Sequence, residues 1–221
     1  MSLTDNKYLR YFPGHRRQVI NIAVSPVDST FISGSMDNTL RLWDLNSTLP
    51  LAILTASDPA IGTYDPQGLI IAVLLGSETL KLYDRRLIAN GPYRTFTYDD
   101  FYSNAQWKGI KFSPDGTKIL ITTDGPVLYL FDSFNGKLLH TLTGHKNDFS
   151  IPLEGSFTED SKFIFCGSTD GKIHCWNVEN GKMIGIFLNQ SQNPVQCLRF
   201  STKYQMFATA SNEKLTFWNH I

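Results

Sequence analysis

The chain is short of several things, and each shortage narrows the choice. Only three of its 221 residues are cysteine, Cys166, Cys175 and Cys197, an odd number with no Cys-x-x-Cys spacing. A disulfide framework is therefore not expected, and reduced thiols in an intracellular protein are. Net charge is absent, since 20 Lys and Arg balance 20 Asp and Glu. Without a surplus of either sign there is no electrostatic case for direct nucleic-acid or membrane binding. No apolar run approaches the roughly 18 residues of a membrane helix, and the opening MSLTDNKYLRYF has no signal-peptide core. A sustained 3.6-residue apolar stripe is missing, so little helix is expected. A phosphate-binding glycine loop, a nucleophile elbow and an HExxH zinc motif are missing as well.

What the chain does have is a repeat. Five times a short strand closes on an aromatic residue followed by Asp or Asn: Trp43-Asp44, Tyr83-Asp84, Phe131-Asp132, Trp176-Asn177 and Trp218-Asn219. The spacings are 40, 48, 45 and 42 residues, a period that marks a stacked or radial array. Repeat one shows the grammar. Val19–Val24 alternates like a strand, Ser25-Pro26-Val27-Asp28 turns, and Phe31–Ser35 returns. Met36-Asp37-Asn38 forms a hairpin, Thr39–Asp44 is a third strand, and a weaker fourth lies near Leu51–Leu54. The corresponding first turns are Asp65-Pro66-Gln67-Gly68, Ser113-Pro114-Asp115-Gly116, Thr158-Glu159-Asp160-Ser161 and Ser201-Thr202-Lys203-Tyr204. Four short strands per repeat, five times over, predict an all-β propeller of about five four-stranded blades, as one domain over residues 1–221.

Gly14-His15 and Gly144-His145 precede Trp43 and Trp176, and with the Trp-Asp endings they make the chain resemble the WD-repeat family. In that family a histidine, a strand serine, a hairpin aspartate and the tryptophan form a buried hydrogen-bonded set. Carried over by position, the resemblance implies His15, Ser35, Asp37 and Trp43 in repeat one, and His145, Ser168, Asp170 and Trp176 in repeat four. The same residue types also spell a hydrolase triad, but they occur twice, whereas an active site occurs once. No catalytic residue is expected. Cys166, His174 and Cys175 resemble a metal cluster until placed on strands. A two-residue hairpin at Thr169-Asp170 sets Cys166 opposite Ile173 and Cys175 opposite Ile164, which reads as packed thiols without metal or cofactor.

Longer phrases narrow the resemblance. DNKYLRYFPGH, VSPVDSTFISGSMDNTLRLWDL, YDPQGLI, ETLKLYDRR and GSTDGKIHCWN are similar to the small WD-repeat subunits of COMPASS, a histone H3 lysine-four methyltransferase complex. The resemblance implies a nuclear, non-enzymatic scaffold. Its implied partners are the Set-type methyltransferase subunit, transcription-termination and phosphatase scaffolds, and the phosphorylated RNA polymerase II tail. A generic WD-repeat adaptor in ubiquitin ligation or RNA processing is the alternative. Loops on the Gly-His side, with Arg16, Arg17, Lys146, Asn147 and Phe149, are the candidate partner surface; the same residues also fit an ordinary solvated loop. Lys7–Phe12 is expected to pair antiparallel with residues 214–219 and so close five blades into a ring, with an open arc as the alternative.

Overall fold

The structure, a computed structural model, describes residues 4–8, 10–98, 105–189, 192–201, 204, 206–212 and 214–219. The fold class is the expected one: five antiparallel sheets, four of them four-stranded. The strands group into two compact units, Met1–Asp99 and Asp100–Ile221.

The first unit holds two sheets. One is β1 (Val19–Val24), β2 (Thr30–Ser35), β3 (Thr39–Asp44) and β4 (Pro50–Thr55); the other is β5 (Ala60–Tyr64), β6 (Ile70–Leu75), β7 (Thr79–Asp84) and β8 (Arg94–Thr97). Each is a meander in chain order, with short turns between neighbours except β7 and β8, which a 3-10 helix at Arg85–Asn90 connects. Ile32, Leu40 and Leu42 of the first sheet pack on Ala60, Ile71 and Val73 of the second, forming one core. Across this contact Arg85 pairs with Asp28, and Thr30 Oγ1 lies 3.2 Å from the Tyr64 hydroxyl.

The second unit holds three sheets. They are β9 (Trp107–Phe112), β10 (Lys118–Thr123), β11 (Val127–Asp132) and β12 (Leu138–Thr143); then β13 (Gly155–Phe157), β14 (Phe163–Gly167), β15 (Lys172–Asn177) and β16 (Met183–Leu188); then β17 (Cys197–Phe200), β18 (Met206–Ser211) and β19 (Lys214–Asn219). The last sheet has three strands. The outer strand expected at Lys7–Phe12 is not formed: residues 7, 8 and 10–12 carry no strand, and Leu9 lies outside the described residues.

Turn chemistry explains the regular spacing. Asn38 (φ 61°) and Gly171 (φ 78°) take the left-handed position of equivalent hairpins, which asparagine and glycine adopt most readily. In the first turns an aspartate bonds the amide two residues on, as Asp28 does with Thr30, Asp115 with Thr117 and Asp160 with Lys162. The Cys166 and Cys175 expectations need correcting. The hairpin is wider than two residues, so Cys166 lies opposite His174, Cys175 opposite Phe165, and Ile164 opposite Trp176.

Two glycines set how closely sheets approach. A Cβ on Gly34 would fall 1.9 Å from the Ala60 carbonyl oxygen, and one on Gly167 equally close to that of Val195. Backbone cannot retreat as a side chain does. Gly34→Ala and Gly167→Ala should each lower unfolding free energy by about 1–3 kcal/mol, the usual cost of overpacking. Gly185→Ala, whose nearest neighbour is the Phe187 ring at 3.8 Å, should be tolerated. Chemical denaturation of the three variants checks this, and equal losses at all three would contradict it.

Candidate interaction site

In the first sheet the indole N–H of Trp43 sits in the core and needs an acceptor. Trp43 faces Phe31 across the β2–β3 pairing, and Ser33 is one same-face step further along β2. Trp43 Nε1 donates to Ser33 Oγ at 2.8 Å, and Ser33 Oγ lies 2.7 Å from His15 Nε2. Because the Ser33 oxygen accepts from the indole, its own proton is free for Nε2. The His15 Nδ1 proton then goes to Asp37 Oδ2, 3.0 Å away. Asp37 also accepts from Thr39 Oγ1 at 2.6 Å and from the Arg16 amide at 2.9 Å. Burial by itself would raise the Asp37 carboxyl, but the bonds from Thr39, Arg16 and His15 outweigh it and hold it well below the usual carboxylate range.

The expected set is thus altered by one member. His15, Asp37 and Trp43 meet, but through Ser33. Ser35 instead bonds the Arg17 carbonyl and the Asp37 amide, closing the hairpin. Both serines share a strand face, so alternation does not separate them. The indole's reach does, since Ser35 lies another same-face step, about 7 Å, beyond. Ser33 is 3 % exposed and accepts from Trp43, so this Ser–His–Asp array offers no nucleophile to a substrate.

The fourth sheet is different. Cys166 stands where Ser33 stands, and the hydrogen-bonded chain does not form. Trp176 Nε1 turns to the Thr143 carbonyl at 3.0 Å, Asp170 pairs with Lys172, and Ser168 accepts from the Lys146 amide. His145 is buried edge-on to Trp176 with its rings 5.8 Å apart, and neither ring nitrogen has a partner of hydrogen-bonding geometry among the described residues. Burial, with the neighbouring His174 ring, pushes His145 down to about 4, opposed by the Gly125 backbone. Burial also drives the Cys166 and Cys175 thiols up to about 12, which leaves them unreactive.

The loop residues separate. Arg16, Arg17 and Lys146 are exposed, and Phe149 is 68 % exposed. Asn147 is buried and belongs to the scaffold: its side chain both donates to the Ile151 carbonyl and accepts from the Ile151 amide. Two features escaped the sequence reading. A row of charges on or just before the first strands joins Lys111 to Glu154 at 3.1 Å and Arg199 to Glu154 at 2.6 Å. An apolar cavity of about 610 Å³ opens between the fourth and fifth sheets, lined by Phe163, Phe165, Phe187, Phe200 and Met206. The recurrent phenylalanines of repeats four and five are the signal that was present for it.

Two outcomes follow from the networks. Ser33→Ala and Asp37→Ala should each cost about 1–3 kcal/mol by stranding buried partners, whereas Asp170→Ala should cost under about 1 kcal/mol, because its partner is a part-exposed lysine. Thermal melts decide between that order and equal losses. The second concerns pH. The folded-state pKa of His145 lies below its unfolded value of 6.5, so its contribution is complete above that pH. It is lost as pH falls from 6.5 toward 4, by up to about 3 kcal/mol. His145→Gln should flatten the slope of unfolding free energy in that window; an unchanged slope would show that another group carries it.

Comparison with known proteins agrees with this geometry. The family model "WD domain, G-beta repeat" matches residues 6–44 and 136–177. The chain is 48 % identical to WD repeat-containing protein 82 of Drosophila melanogaster, over 99 % of this chain and 68 % of that one. It is 32 % identical to COMPASS component SWD2 of Saccharomyces cerevisiae, over 99 % of this chain and 69 % of the relative. Against Set1 complex component swd2 of Schizosaccharomyces pombe the figures are 33 %, 75 % and 48 %. The chain thus spans about two thirds of the length of the first two relatives and about half of the third. Repeats, sheets and relatives agree, and the chain belongs to the WD-repeat family.

Proposed function

We propose that this chain is a non-enzymatic protein-interaction scaffold in the nucleus, a subunit of a Set1/COMPASS-type complex that methylates histone H3 on lysine four. The observation that carries the reading is the 32 % identity with COMPASS component SWD2, which extends along 99 % of this chain. The chemistry of the site supports it. His15, Ser33 and Asp37 are bound to one another and to the fold, and the thiols of sheet four are buried and protonated. What remains available is surface: Arg16 and Arg17 ahead of β1, and Lys146 and Phe149 ahead of β13. Exposed arginine in the one loop and an exposed aromatic in the other are residue types enriched at protein interfaces. The finer reading, a shared role in termination and phosphatase complexes on the phosphorylated RNA polymerase II tail, rests on the sequence resemblance.

The test is purification of the tagged chain from nuclei with identification of what accompanies it. Subunits of a Set-type methyltransferase complex are expected above background, and Phe149→Ala with Lys146→Glu should reduce their recovery while leaving the melting curve unchanged. Recovery of ubiquitin-ligase or RNA-processing components alone would move the assignment to the generic adaptor.

A further inference from the structure

The first and fourth sheets hold their tryptophans at equivalent places but surround them with different chemistry. In the first sheet a cation covers the indole: the Arg41 guanidinium carbon lies 5.9 Å from the centre of the Trp43 ring. The same guanidinium packs on the loop ahead of β1, since a Cβ on Gly14 would fall 2.0 Å from Arg41 Nη1. On β15 the residue two before the tryptophan is His174 instead of arginine. It is 3 % exposed and stacks on the Trp176 indole with ring centres 5.9 Å apart. An imidazole there brings a lone pair where arginine brings only donors.

Three of the four ring nitrogens of His145 and His174 are buried without a hydrogen-bond partner among the described residues, both of His145 and Nε2 of His174. Buried polar atoms are rarely left so, and a bound water or ion is a common reason. The fourth, His174 Nδ1, lies 3.4 Å from Met183 Sδ. Met183 stands opposite Trp176 on β16, where Pro50 stands opposite Trp43. A Cβ on Gly144 would come within 3.3 Å of the Met183 sulfur, so the thioether packs on this Gly-His turn as Arg41 packs on the other. Two imidazoles and a thioether therefore gather beside Gly144-His145, all within one compact unit. The set shares only His174 with the Cys166, His174 and Cys175 group that the sequence suggests.

The spacing suits a single ion. Bonds of about 2.0 Å to nitrogen and about 2.3 Å to sulfur place the two donors about 3.5 Å apart. Imidazoles on opposite sides of one ion stand about 6.3 Å apart, centre to centre. The His145 and His174 ring centres are 6.4 Å apart. Ligand softness then names the ion. A structural zinc site is closed by four ligands, and among the described residues no three His, Cys, Asp or Glu side chains form a metal-holding group. Thioether with imidazole selects monovalent copper, and the indole beside them favours a cation.

We propose that His145, His174 and Met183 bind one Cu(I) ion beside the Trp176 indole. The two imidazoles hold it from opposite sides. Met183, 45 % exposed, supplies the third donor and the way in. The ion gives the fourth sheet the cation that Arg41 gives the first, and it ties the loop carrying His145 to β15 and β16. Copper thereby stabilises the folded chain.

Anaerobic titration of the untagged full chain with Cu(I), in competition with a chromogenic Cu(I) chelator, tests this. A Cys197→Ser background removes the exposed thiol. One equivalent per chain should be withdrawn from the chelator, and the melting temperature should rise with it. Met183→Leu should weaken binding about tenfold or more while the copper-free melting curve stays unchanged. His174→Phe, which keeps a ring on the indole, should weaken binding as much. Zn(II) should give no comparable rise in melting temperature. Absence of stoichiometric binding, binding that survives both substitutions, or protection by Zn(II) equal to that by Cu(I) would each overturn the proposal.

Discussion

The position of one indole proton organises the first sheet. Trp43 is 1 % exposed and carries a single donor, so an unpaired N–H there would cost about 1–3 kcal/mol. Ser33 accepts it, which frees the serine proton for His15, which in turn commits its other nitrogen to Asp37. Each donor is fixed by the one before, and Asp37 ties the end of that chain to the hairpin amide of Thr39 and the loop amide of Arg16. Tryptophan, strand, hairpin and incoming loop are thereby held by one directional path.

The fourth sheet solves the same problem at lower polarity. With a thiol in place of the hydroxyl, the Trp176 proton goes to the Thr143 carbonyl, while His174 stacks on the indole and His145 meets it edge-on. Sulfur packs into the apolar core with Leu120, Ile164 and Trp176. Two sheets of one chain thus hold a buried tryptophan by different means, and neither leaves a reactive group facing solvent. That favours the reading of the motif as framework and directs attention to edges, loops and faces as the places where partners meet the chain.

The strand grammar was legible because it rests on local chemistry. Alternating runs, Asp-initiated turns and left-handed Asn38 and Gly171 each impose strand and turn from short sequence windows, and all five third strands appear where the aromatic endings place them. Register was less legible. The hairpin of the fourth sheet turns through a left-handed Gly171, whose amide bonds the Ser168 carbonyl, so Cys166 fell opposite His174 rather than Ile173. Ser35 and Ser33 lie on the same face, and only the length of the indole distinguishes them. Asn147 looked like a loop contact, but its side chain closes its own turn. Lys7–Phe12 has the composition of an outer strand, yet a strand exists only when a partner backbone is beside it, and composition does not say where that partner is.

The central claim is that the histidine, serine, aspartate and tryptophan of the repeat are structural. Hydrogen exchange of the indole N–H protons, followed one tryptophan at a time, tests it most directly. Trp43 and Trp176 should exchange only at the rate of global unfolding, because their protons are released only when their sheets open. Fast exchange at Trp43 in a protein that remains folded would contradict the account, since it would mean that Ser33 and His15 are not committed to the indole and are free for other chemistry.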